Sequence, residues 1–109
     1  MADTDRELLE MAARAAGGIS SDGLGRCYDM EREAEWNPLT DDGDALRLVV
    51  KLNLAVVFHP VLNQALCRPY WALDMDKECR EDGEKHADPY AATRRAIVRA
   101  AAEIGRAMP

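Results

Sequence analysis

The residues best placed to do chemistry are arginines that recur at helical spacing near the end of the sequence. Arg95 and Arg99 lie one helical turn apart and Arg106 follows seven residues later, so all three project from one side of a helix. Guanidinium groups on one face can bind phosphates or an acidic surface of another protein. The alternative is a solvated helix face whose charge is balanced by Glu103 and by the chain's other acidic residues, including those from Asp74 to Asp88.

Aromatic residues form a second set of candidates, and they are scarce at 6% of the sequence. Trp36, Tyr70 and Trp71 could line a ligand pocket, because amphipathic rings often do. They could equally complete the core where aliphatic residues run short, and this is the interpretation we prefer. The candidate binding residues are Arg95, Arg99, Arg106, Trp36 and Trp71.

Residues that could ligate a metal ion are present, but their spacing argues against a site. The acids at positions 41, 42 and 44 lack the pattern of a calcium loop, and helix capping accounts for them. The cysteines and histidines show none of the short spacings typical of zinc ligands. These residues are His59, Cys67, Cys79 and His86. We predict no metal and no cofactor.

A catalytic constellation is equally hard to find. Three cysteines and two histidines can be combined on paper, but nothing selects one pair as nucleophile and base. The sequence contains no glycine-rich phosphate loop, no G-x-S-x-G and no H-E-x-x-H. We therefore predict a protein without enzymatic activity.

The composition favours a single domain spanning residues 1–109. The net charge of −6 argues against broad nucleic-acid binding, although residues 89–109 hold four arginines and one glutamate. The odd number of widely spaced cysteines disfavours a disulfide framework. No apolar run could span a bilayer, and the acidic beginning of the sequence is unlike a signal peptide. We predict a cytoplasmic protein with no membrane contact.

Three helices are expected to position the candidate residues. Thr4 and Glu7 have capping-box spacing, which predicts a first helix over about residues 4–16. The second should begin at one of the caps in 40–42 and end at Asn53. Asp88 and Pro89 open the last helix as cap and first residue. Its buried stripe should pack on a sheet; its members are Tyr90, Thr93, Ile97, Ala100, Ala101, Ile104 and Met108.

The strands are less clearly signalled than the helices. Residues 26–29 and 34–36 could form a small hairpin, and residues 54–58 and 64–71 a second pair. The acidic stretch from Asp74 to Asp88 reads as a solvated loop. These elements predict an α+β fold in the order α-β-β-α-β-β-α, a three-layer, sandwich-like arrangement. About three helices would pack on an antiparallel sheet of about four strands.

Three segments resemble small proteins of phages and prophages of proteobacteria. They are LLEMAARAAG at residues 8–17, WNPLTDDGDALRLVVKL at 36–52 and AATRRAIVRAAAEIG at 91–105. Together they cover somewhat less than half of the chain. They are similar to the phage ABA-sandwich family, in which helices cover both faces of a sheet. The resemblance implies a fold and an origin, and it implies no reaction and no catalytic residues.

These observations lead to one functional hypothesis and two alternatives. We expect a phage or prophage accessory protein, monomeric or homodimeric, that binds a host or phage macromolecule in the bacterial cytoplasm, and a host or phage protein is the favoured partner. The first alternative is a small-ligand-binding domain with a cleft near Trp36 and Trp71. The second is a nucleic-acid contact through Arg95, Arg99 and Arg106.

Overall fold

The structure, a computed structural model, describes residues 4–71 and 78–109 and has the predicted α+β class. Its helices are α1 (Asp5–Ala16), α2 (Asp42–Leu52) and α3 (Pro89–Ala107). Its strands are β1 (Ile19–Ser21), β2 (Cys27–Asp29), β3 (Ala34–Trp36), β4 (Leu54–His59), β5 (Gln64–Pro69) and β6 (Cys79–Asp82). In the described part of the chain, no helix combines the length and the apolar character that crossing a membrane requires.

The helix boundaries follow from capping residues that the sequence displays. The Thr4 hydroxyl accepts a hydrogen bond from the Glu7 amide at 3.2 Å, which is one half of the predicted capping box. Side-chain oxygens of Asp41 and Asp88 cap α2 and α3 in the same way. Asn53 ends α2 in the left-handed conformation with φ 53°. The predictions for all three helices are confirmed.

The strands form two antiparallel sheets of three strands each, ordered β1-β2-β3 and β4-β5-β6. The prediction of one sheet of about four strands was therefore wrong, and the element order is α-β-β-β-α-β-β-β-α. Two short strands account for the difference. β1 contains two serines beside Ile19, so it shows no apolar alternation. β6 lies inside the acidic stretch that was expected to be a loop.

Part of the acidic stretch forms the strand β6, and the carboxylate of Glu81 in this strand is paired with Arg99 of α3. Cys79 lies opposite Cys67 of β5 and is buried, and Glu81, two residues on, shares that face of the sheet. A 3₁₀ turn over Gly83–Lys85 follows the strand. Residues 74–77 of the predicted loop lie outside the described residues.

The last helix, α3, is the element on which α1, α2 and the second sheet pack. It contacts α1, α2 and all three strands of the β4-β5-β6 sheet. Ile97 is buried and Ile104 is half-buried, as predicted for the stripe that faces the sheet. Tyr90 and Met108 were expected on the same stripe, but both are exposed: Tyr90 lies in the first turn of α3, and Met108 follows its last residue.

Helices α1 and α3 run parallel and approach very closely. Arg95 bonds Asp5 near the start of both helices, and Arg14 donates to the Met108 carbonyl near their ends at 2.9 Å. Small residues line the contact, and they let the two backbones come together. At Gly105 a Cβ atom would lie 1.9 Å from the Met11 carbonyl oxygen, so no larger residue fits there.

Candidate functional site

The structure brings together three of the five candidate residues. Trp71, Arg99 and Arg106 line one cleft of about 530 Å³ beside the C-terminal half of α3. We call it the Trp71 cleft. Its remaining lining residues are Pro69, Glu78, Cys79, Glu103, Ile104 and Ala107. The end of β5, the start of β6 and the last turns of α3 therefore build this site.

Exposed aromatic rings stand at the entrance to the Trp71 cleft. Trp71 is 67% exposed and its neighbour Tyr70 is 72% exposed. The chain is fixed at this point, because the Tyr70 amide donates to the Asn53 carbonyl at 2.7 Å, which extends the β4–β5 pairing by one residue. Pro69 ends β5 just before the two rings and is itself buried. The rings are thus held on an ordered strand end.

The arginines of the cleft are paired with carboxylates of the same chain. Arg106 bonds Glu103 one turn earlier on α3, and Arg99 bonds Glu81 of β6. Arg99 also donates to the Arg80 carbonyl oxygen at 2.6 Å. Both guanidinium side chains nevertheless keep about a third of their surface exposed, at 39% and 35%. The cleft therefore presents mixed charge rather than a bare positive patch.

Arg95 lies away from the cleft and belongs to a cluster of charged side chains around Glu81. Its Nη1 atom is 2.6 Å from Asp5 Oδ1, and its Nε atom is 3.9 Å from Glu81 Oε1. The Nε2 atom of His86 lies 2.8 Å from the same Glu81 oxygen. This cluster joins α1, β6 and α3. It corresponds to the neutralised helix face that was the alternative interpretation of the arginine row.

Trp36 is not part of the same site as Trp71. It is 4% exposed, lies on β3 and belongs to the hydrophobic core. The cavity that it borders, about 440 Å³ between α2 and the first sheet, has no residue in common with the Trp71 cleft. A single ligand cleft near both tryptophans, as the sequence suggested, is therefore not formed.

A second opening, between α2, β4 and the start of α3, was not anticipated from the sequence. It has a volume of about 640 Å³, and its lining is almost entirely apolar. We call it the α2–β4 groove; it is lined mainly by Ala45, Leu46, Val49, Val56, Phe58, Tyr90 and Ile97. Leu46 is 62% exposed and Tyr90 is 68% exposed at its rim. The available signal was the apolar face of α2, which is broader than one packing contact can cover.

The acids at the start of α2 all have structural partners. Asp41 caps the helix by accepting from the Asp44 amide at 2.8 Å, and Asp42 pairs with Arg94 at 2.7 Å. Asp44 is buried, accepts from the Asn37 amide at 2.9 Å and bonds Arg47 at 2.6 Å. Within residues 4–71 and 78–109, no group of three or more His, Cys, Asp or Glu side chains is placed to hold a metal ion.

The three cysteines are free thiols in buried surroundings. Burial raises the pKa of Cys67 to about 12, and it also raises the pKa of Cys79 and of Cys27. A nucleophilic cysteine needs the opposite shift, because the thiolate is the reactive form. These side chains therefore act as apolar core residues.

The candidate sites thus combine an aromatic and arginine cleft with a separate apolar groove. Burial raises the pKa of Cys79, the thiol that lines the Trp71 cleft, so this group is not activated as a nucleophile. Comparison with protein-family models, with curated proteins and with solved structures finds no match to this chain.

Proposed function

We propose that this chain is an accessory protein of a phage or prophage, a non-enzymatic module that binds a host or phage protein at the Trp71 cleft. The observation that carries the proposal is the pair of exposed rings, Tyr70 and Trp71, beside Arg99 and Arg106. Tryptophan, tyrosine and arginine are the residue types that contribute most to binding at protein interfaces. The phage origin is supported by the resemblance of the three sequence segments described above, and it implies action in the bacterial cytoplasm.

Burial of the two exposed rings in an interface would contribute favourable free energy to binding. A large apolar side chain that passes from water into a packed interface contributes roughly 1.5–3 kcal/mol. Because Tyr70 is hydrogen-bonded to Asn53, the ring-bearing segment loses little freedom when a partner binds. A partner that covers both rings would therefore gain affinity without having to order this strand end.

The charge of the cleft favours a protein partner over nucleic acid. A phosphate that approached Arg99 or Arg106 would compete with Glu81 or Glu103, and the net charge of −6 would oppose it. A protein surface can place its own carboxylates and hydrogen-bond donors around the same ion pairs.

A small-ligand site is the second candidate function, favoured by the dimensions of the cleft. Its volume of about 530 Å³ lies within the usual range for small-molecule sites, roughly 300–1,000 Å³. Trp71 would stack on such a ligand, and the arginines would bind its anionic groups. A protein partner and a small ligand can be told apart by the mass that binds.

The test is site-specific photo-crosslinking in bacterial cells that express the protein. A photoreactive phenylalanine analogue replaces Trp71 in one variant and Leu24 in a control, since Leu24 is 80% exposed in the loop between β1 and β2. We expect a discrete protein adduct at position 71 and none at position 24. The adduct should be lost when Arg99→Glu and Arg106→Glu are added, with the melting temperature of that variant checked against the wild type.

Each alternative gives a different result in the same experiment. An adduct that nuclease removes would replace the protein partner with nucleic acid. A bound small molecule, seen as a fixed added mass in native mass spectrometry of the wild type, would favour the second function. Equal adduct patterns at positions 71 and 24 would refute a role for the Trp71 cleft.

A further inference from the structure

Among the strands of the described residues, none lies beside the outer edge of β4 in the second sheet. The order β4-β5-β6 places β4 at the edge. The Tyr70 amide donates to the Asn53 carbonyl, so this pair is a hydrogen-bonded one and the alternate residues 55, 57 and 59 also face β5. The N–H and C=O groups of Leu54, Val56 and Phe58 therefore point away from β5.

This edge lacks the features that usually prevent strands from pairing. β4 contains no proline, no lysine and no charged residue before His59, and its register with β5 is continuous from Leu54 to His59. Within the described ranges, no backbone hydrogen bond from another element reaches the outer side of β4. An edge with five successive apolar residues, Leu54 to Phe58, is a template for a further strand.

The surfaces above and below the edge both carry exposed or half-buried apolar residues. On one face, Val56 and Phe58 form the floor of the α2–β4 groove, with Leu46 and Tyr90 at its rim. On the other face, Val57 is 49% exposed. An added strand with apolar side chains on both faces would bury these residues while it satisfies the free backbone groups.

We propose that a second copy of this chain occupies the edge, with the two β4 strands antiparallel about a two-fold axis at Val57. In this register Val56 lies opposite Phe58 of the partner subunit, and the outward backbone groups of both residues meet their symmetry mates. The two three-stranded sheets then join into one sheet of six strands. Leu54 is left out of the pairing, because in this register it would lie opposite Pro60 of the partner subunit, which has no N–H to donate.

The choice of a second copy rests on the symmetry and charge of β4. The two-fold axis places Val56 opposite Phe58 of the partner subunit, and Phe58 opposite Val56 of the partner subunit. Each outward N–H therefore meets a C=O group of an identical strand, and no partner of different sequence is required. β4 has no charged residue, so the net charge of −6 is not concentrated at the contact. The Trp71 cleft includes no residue of β4 or α2, so this inference is independent of the proposed function.

Disulfide trapping tests the register directly. Val57 forms a non-hydrogen-bonded pair with its symmetry mate, for which Cα atoms are about 4.5 Å apart, within the range that a disulfide spans. Val57→Cys should therefore oxidise to a covalent dimer. The native cysteines are buried and should not interfere.

Matched cysteine controls lie on the same strand. His59 is exposed, but in this register it faces Ala55 of the partner subunit, so His59→Cys alone should remain monomeric. A mixture of His59→Cys and Ala55→Cys should give only the mixed dimer. If Val57→Cys and His59→Cys oxidise at equal rates, the register is refuted, because random collision would explain both.

Proline substitutions distinguish the outward N–H groups of β4 from those that bond β5. Val56→Pro removes an outward N–H and leaves the bonds to β5, whereas Val57→Pro removes an N–H that bonds β5. Sedimentation velocity should show a monomer–dimer equilibrium for the wild type and at least a tenfold weaker one for folded Val56→Pro. Leu46→Glu, on the exposed rim, should weaken dimerisation similarly without proline. A wild-type protein that stays monomeric at millimolar concentration would overturn the proposal.

Discussion

Replacing Gly105 with alanine should force the two parallel helices apart. The new Cβ atom would lie 1.9 Å from the Met11 carbonyl oxygen and 2.8 Å from its carbonyl carbon, whereas real contacts stay above 3.0 Å. The obstacle is the backbone of α1, so no side chain can rotate away to make room. The contact must lengthen by more than 1 Å, and the whole α1–α3 interface must open with it.

The size of the effect follows from two opposing contributions. Overpacking of a well-filled interior costs roughly 1–3 kcal/mol, and a backbone obstacle places Gly105→Ala at the upper end. Alanine recovers about 1 kcal/mol, because it favours helix over glycine by that amount. We therefore expect a net loss of about 2 kcal/mol in the free energy of unfolding. For a domain of this size that loss corresponds to a fall in Tm of roughly 8–16 °C.

The assay is urea unfolding followed by circular dichroism, together with a thermal melt. Gly43→Ala is the matched control, because Gly43 also lies in a helix but its new Cβ would meet only the side-chain tips of Arg47 and Asp41, at 3.2 Å. We expect this control to be neutral or slightly more stable than the wild type. A Gly105→Ala protein as stable as the control would refute the close approach of α1 and α3.

Three further perturbations test the core, the start of α2 and the buried thiols. Ile97→Asp should abolish folding because it buries an unpaired charge, whereas Tyr90→Asp on the exposed end of α3 should fold; soluble Ile97→Asp with an unchanged Tm would contradict the packing. Asp44→Ala should cost about 2–4 kcal/mol in urea unfolding, since it leaves the groups around a buried carboxylate unpaired, while Asp42→Ala, mostly exposed, should cost less than about 1 kcal/mol. Burial raises the pKa of Cys67 from 9.0 to about 12. The contribution of the protonated thiol to the free energy of unfolding is therefore complete below pH 9.0 and is lost as the pH rises toward 12. The urea midpoint of the wild type should fall as the pH is raised above 9.0, and the fall should be smaller in Cys67→Ala. The same pH dependence in both proteins would contradict the burial of this thiol.

The helices could be predicted because their signals are local. Thr4, Asp41 and Asp88 cap helices through bonds to amides two or three residues away, and Asn53 supplies the left-handed residue that ends α2. Such contacts depend on nearby residues only, so they are visible in the sequence.

The strands β1 and β6 could not be predicted because their stability comes from distant residues. Glu81 points into the protein, where Arg99 on the helix that follows it, together with Arg95 and His86, pairs with its carboxylate. The acidic stretch was a candidate partner for the arginine face, but an acidic run of sequence does not show that residues 79–82 pair with β5 as a strand. The division into two sheets depends on the same long-range contacts, so the prediction of a single sheet was wrong.

The candidate site was predictable in its residue types and only partly in its geometry. Trp71, Arg99 and Arg106 converge because the end of β5 passes the last turns of α3. Trp36 was named for its aromatic ring, but burial on β3 separates it from that cleft. The α2–β4 groove was overlooked, since an exposed Leu46 and a buried Leu48 look alike in sequence.

The packing of α1, α2 and the second sheet on α3 has a consequence for how the protein reaches its native state. α1 and α3 make the most extensive contact between elements, yet they stand at opposite ends of the chain order. Bringing them together closes a loop that includes both sheets, and the entropy of that closure is lost before the contact is gained. We expect folding to be slow for a domain of this length, and we expect the β4-β5-β6 sheet to become stable only once α3 has docked on it.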